Sequence, residues 1–79
     1  MNIEKLVEKL NNSPKNVRFE DLEKLLNFMN YFCNKKNTGS HFVFKKQGCE
    51  PLTIPYKKPI KAHYVKLVLD TYKEFKEKE

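Results

Sequence analysis

One stretch of the sequence, KKNTGSHFVF at positions 35–44, holds side chains able to do chemistry. His41 is one of only two histidines in the chain. Imidazole is the side chain whose unperturbed pKa suits proton transfer near neutrality. Gly39 and Ser40 precede it, and Ser40 has a hydroxyl able to orient the ring, contact a phosphate or simply begin a strand. Lys36, Lys45, Lys57 and Lys58 supply ammonium groups that can stabilise charge on phosphate oxygens. Carboxylates are nearly missing here, and hard cations such as magnesium need oxygen ligands. RNA offers a route that needs no metal. Its 2′-hydroxyl is a nucleophile beside the phosphate, so a base and charge stabilisation suffice. A strand histidine taken alone is more often an ordinary surface or packing residue.

The charge distribution adds weight to a polyanionic partner. The net charge is +6, but it is uneven. Between Tyr31 and Lys66 stand eight lysines and one acid, Glu50, whereas the rest of the chain is close to neutral. Such a basic block suits nucleic acid. Its plainer reading is solubility and the blunting of edge strands. Tyr31, Tyr56 and Tyr64 flank the block and could either stack on unpaired bases or cover the rim of a core. Cys33, Cys49, His41 and His63 show no chelating spacing, so neither a metal nor any other cofactor is expected. Two cysteines 16 positions apart in a cytosolic setting argue against a disulfide. His63 falls in the first turn of a helix, where positive charge is disfavoured, and reads as a surface residue.

The elements that must position these groups follow from periodicity. Ile3, Leu6, Val7 and Leu10 make one apolar face of a short helix. Asn11-Asn12-Ser13-Pro14 ends it. A second helix runs from about Phe19 or Glu20 to Asn30, striped by Leu22, Leu25, Leu26 and Met29, with a poor N-cap at Arg18 or Phe19. Tyr31 to Asn37 reads as a strand. Ser40 to Lys45 alternates, with Phe42 and Phe44 on one face and His41 and Val43 on the other. Leu52-Thr53-Ile54 is a short strand stopped by Pro55. A last helix spans about Lys61 to Phe75, with Val65, Val68, Leu69, Tyr72 and Phe75 in its stripe and a fraying tail.

The expected fold is α+β, a two-layer sandwich in the order α-α-β-β-β-α with a three-stranded antiparallel sheet. Its 79 residues suit a single domain. Residues 1–12 form an accessory N-terminal helix and residues 19–76 the core unit. No apolar run reaches the roughly 20 residues that span a bilayer. The N-terminus lacks an apolar signal region, so no membrane association and a cytoplasmic location are expected.

Gly39-Ser40-His41 followed by Phe42-Val43-Phe44, then Leu52-Thr53-Ile54-Pro55 and a closing helix, resembles the HicA family of bacterial toxins. SPKNVRFEDLEKLL upstream resembles a subgroup with an extra N-terminal helix. The resemblance covers about Ser13 to Tyr72. It implies a double-stranded-RNA-binding-domain-like fold and the toxin part of a type II toxin–antitoxin system. The activity implied is an mRNA interferase, a metal-independent endoribonuclease (a hydrolase) cutting messenger or other single-stranded RNA. A HicB-like antitoxin protein would cover the active site. His41 matches the family's catalytic histidine, and Gly39 and Ser40 match the residues before it. Family members often carry a second histidine after the TIP element, where this chain has Tyr56-Lys57-Lys58. Lysine is a poorer proton shuttle at neutral pH. The rival expectations are a non-catalytic RNA-binding module of the same fold and a protein-interaction module.

Overall fold

The structure, a computed structural model, describes residues 2–33, 41–57 and 59–78. Among these residues three helices and a three-stranded antiparallel sheet follow in the order α1 (Ile3–Asn12), α2 (Phe19–Phe28), β1 (Phe32–Cys33), β2 (His41–Lys45), β3 (Leu52–Pro55) and α3 (Ala62–Glu77). The strands lie in sheet order β1-β2-β3, so β2 is central. Chain order and sheet order coincide, as in a meander.

Each helix forms where its apolar stripe can be buried. Asn2 caps α1, its side-chain oxygen accepting from the N–H groups of Glu4 at 2.8 Å and Lys5 at 3.4 Å. Leu6 and Leu10 of α1 are buried with Leu22, Leu25 and Leu26 of α2 and Val65 and Val68 of α3 in one core. Lys9 reaches the buried carboxylate of Asp21 at 3.5 Å, pinning α1 to the first turn of α2. Helix α2 has no side-chain cap at Arg18, as its sequence suggests.

Helix α2 ends earlier than its period implies. Asn30 takes a left-handed φ of 71°, Tyr31 N–H donates to Leu26 C=O at 2.9 Å, and Asn30 N–H donates to Asn27 C=O at 3.0 Å. These two bonds close a Schellman cap, with asparagine in the position usually held by glycine. The reversal drives Tyr31 into the core, where it is 6% exposed. Two regular strand residues then follow, Phe32 and Cys33. The remainder of the expected strand, 34–37, lies outside the described residues, as do Gly39 and Ser40.

Strand β2 pairs with both neighbours. Phe32 faces Lys45 and Cys33 faces Phe44 on one side; His41 faces Pro55, Phe42 faces Ile54, Val43 faces Thr53 and Phe44 faces Leu52 on the other. Pro55 completes β3 rather than merely stopping it, which an edge strand tolerates. The return from β2 is a turn closed by Cys49 N–H donating to Lys46 C=O at 3.1 Å. Gly48 sits in it at φ +82°, where a side chain would strain the backbone.

Alternation divides the sheet as expected. Phe44 and Ile54 are buried in the helical core, and Phe42, Leu52 and Cys33 pack partly against it. Phe19, entering α2, stands 5.0 Å from the Phe42 ring and 5.9 Å from that of Phe44, joining sheet to helices. Ile60 N–H donates to Val17 C=O at 3.0 Å, tying the segment before α3 to the segment before α2. Helix α3 runs two residues beyond Phe75, to Glu77, so part of the tail expected to fray is helical.

Candidate nucleic-acid interface

His41 is the first residue of β2 and is exposed. It shares a sheet face with Val43, Lys45, Thr53, Pro55 and Phe32, because residues directly opposite across an antiparallel pair point the same way. None of the strand residues is acidic. Lys45 follows His41 by four residues, a separation of about 13 Å along a strand rising about 3.3 Å per residue. The two side chains therefore mark separate positions along the same sheet face. Lys57 is exposed and lies two residues past Pro55, the residue facing His41, so it stands at the His41 end of the sheet. Gly39, Ser40, Lys36 and Lys58, the remaining candidates, lie outside the described residues.

The lysine block is more divided than its sequence suggests. Lys46 does not join the open face. Its ammonium stands 4.8 Å from the centre of the Phe75 ring and 5.5 Å from that of Tyr31, on the helix side. A cation over aromatic faces is held there by the ring quadrupoles, and its stem covers apolar surface. Lys61 occupies the N-cap position of α3 without a side-chain capping bond, and Lys66 lines a groove of about 470 Å³ between α1 and α3. His63 lines the same groove, beside Leu10 and Asn11 rather than near His41, with its ring 3.9 Å from that of Tyr64.

The tyrosines serve the core rim more than the open face. Tyr31 is buried, which removes it from base stacking. Burial first, then a hydrogen bond with Cys49, pushes its phenol above the ordinary range. The Tyr56 ring leans on Phe19 at 4.9 Å and Phe42 at 5.8 Å. Its hydroxyl donates to the Glu20 carboxylate at 3.2 Å, which holds the proton and pushes the phenol above its usual value. Cys33 and Cys49 are not joined by a disulfide. Among the described residues no three His, Cys, Asp or Glu side chains converge.

Sequence reasoning missed Phe32. It is 57% exposed, the most of any large apolar side chain described, and it stands beside Lys45 on the open face. The signal was its parity: with Tyr31 and Cys33 turned to the core, Phe32 must turn outward.

No family model, curated protein or solved structure matches this chain. Among the described residues no helix is long and apolar enough to cross a membrane.

Proposed function

We propose that this chain is a HicA-like toxin, an endoribonuclease that cuts single-stranded messenger RNA in the cytoplasm without a metal and is neutralised by a HicB-like antitoxin. The observation that carries the reading is His41, exposed at the start of the central strand on a sheet face with no acidic strand residue. The order α2, β1, β2, β3, α3, with the helices packed on one face of the sheet, supports a double-stranded-RNA-binding-domain-like architecture.

The chemistry asks little of the protein. A neutral imidazole takes the 2′-hydroxyl proton as the 2′-oxygen bonds to phosphorus. The bond from phosphorus to the 5′-oxygen breaks, and that oxygen leaves with a proton from water, whose hydroxide takes back the proton held by the imidazolium. The products are a 2′,3′-cyclic phosphate and a 5′-hydroxyl. Lys57, at the same end of the sheet, is placed to stabilise charge on the phosphate oxygens. The test is cleavage of RNA by purified protein, wild type beside His41→Ala, with the new ends identified.

A second reading, a binding module without cleavage, is favoured by one observation. The described residues directly beyond β3 at the His41 end are Tyr56 and Lys57, neither a histidine, and the other histidine, His63, lines the α1–α3 groove. RNA bound tightly by wild type with no new ends would select this reading.

A further inference from the structure

We infer that Phe32 is a stacking platform for an unpaired base, fixing single-stranded RNA on the open sheet face about four residues of β2 away from His41. The inference rests on the RNA reading above and adds to it a second anchoring point and a minimum substrate length.

Three observations meet at this residue. Phe32 is 57% exposed, although it belongs to an edge strand, where an uncovered aromatic invites unwanted pairing. It faces Lys45 across the β1–β2 ladder, so an aromatic and a basic side chain leave adjacent positions on one sheet face. Both lie on the face that carries His41. Single-strand binders combine these two groups: the cation tracks the backbone and the ring stacks a base without regard to its identity. A protein occupant would meet the ring equally well. The lysine beside it and the lack of any acidic strand residue favour a polyanion.

The spacing gives the inference its content. His41 and Lys45 are about 13 Å apart along β2. At a stacked rise of about 3.4 Å per nucleotide, that span holds about four nucleotides, and fewer if the strand is stretched. A dinucleotide held at His41 therefore cannot reach Phe32, whereas an octanucleotide can.

The experiment measures Kd for fluorescently labelled 2′-O-methyl oligonucleotides of two and eight residues. These have no free 2′-hydroxyl and are not cleaved. Wild type, Phe32→Ala, Phe32→Leu and Phe32→Tyr are compared, with the far-ultraviolet circular dichroism of each. Phe32→Ala and Phe32→Leu are expected to weaken octanucleotide binding by about 5- to 150-fold. Phe32→Tyr, which keeps the π-face, is expected to stay within about twofold of wild type, and the dinucleotide is expected to be indifferent to all three. Tight octanucleotide binding that is equal in wild type and Phe32→Ala overturns the inference, assigns the ring to a protein contact or to none, and leaves the ribonuclease reading standing. Failure of wild type to bind the octanucleotide overturns the RNA reading itself.

Discussion

Phe32 faces Lys45 across the first ladder of the sheet, while His41 faces Pro55 across the second. Both pairs have the parity opposite to the core-facing Phe44 and Ile54, with His41, Lys45 and Phe32 exposed and Pro55 buried. This sheet face thus has a histidine at one end and an aromatic residue opposite a lysine at the other.

If single-stranded RNA lies on this face, as proposed above, its phosphate contacts make affinity depend on salt. Lys45→Glu and Lys57→Glu are each expected to weaken binding to single-stranded RNA. Each should also lower the slope of log affinity against log salt by about 0.7. Lys46→Glu is expected to leave that slope unchanged, because its ammonium is held over Phe75 and Tyr31. Titrations at several salt concentrations check all three, and a large slope change for Lys46→Glu alone would reverse the assignment of faces.

The fold and the site should separate under mutation. Phe44 is 1% exposed, and Phe44→Ala is expected to cost about 3–5 kcal/mol through lost burial and a cavity. His41 is exposed at the beginning of β2, and His41→Ala is expected to change stability by no more than about 0.5 kcal/mol. Urea unfolding measures both. A large loss for His41→Ala would give the histidine a structural role.

Helix α1 is fastened by a polar contact as well as by Leu6 and Leu10. The Asp21 carboxylate is buried and its Oδ2 has no hydrogen-bond partner, only the Lys9 ammonium at 3.5 Å. Lys9→Ala leaves that group uncompensated, with an expected loss of about 1–3 kcal/mol. Asp21→Asn in the Lys9→Ala background removes the charge and is expected to restore part of the loss. Denaturant midpoints across the double-mutant cycle test the coupling.

Alkali should loosen the protein through two phenols. Tyr31 and Tyr56 both hold their protons more tightly when folded than the ordinary phenol value of 10.0. Between the unfolded and folded values the native state binds more protons, so stability falls as pH rises. Their contribution is complete below about pH 10 and is lost as pH passes the raised folded values. Tyr56→Phe removes the Glu20-linked part. Ultraviolet titration of tyrosinate absorbance, with stability measured alongside, checks the sign; ionisation of every tyrosine at the ordinary value would refute it.

Much of the framework was legible because burial imposes a period. The Leu22, Leu25, Leu26 and Met29 stripe and the Val65, Val68 and Leu69 stripe are buried as their spacing implies. The outward placement of His41 followed from the alternation of Phe42 and Phe44. What escaped depended on groups outside the local pattern. The end of α2 is set by the left-handed Asn30, and this one turn decides that Tyr31 is buried and Phe32 outward. The charge count overstated the open face, because Lys46 settles on two rings contributed by distant segments. A sum of lysines carries no information about which side of a strand each one takes.

The central claim is that His41 takes the proton from an RNA 2′-hydroxyl. The most direct measurement incubates purified wild type and His41→Ala with a defined messenger RNA without divalent metal and maps the new ends. Wild type is expected to give fragments with 2′,3′-cyclic phosphate and 5′-hydroxyl ends. His41→Ala, folded and still binding the RNA, is expected to give none. Cleavage by His41→Ala at the wild-type rate would contradict the account.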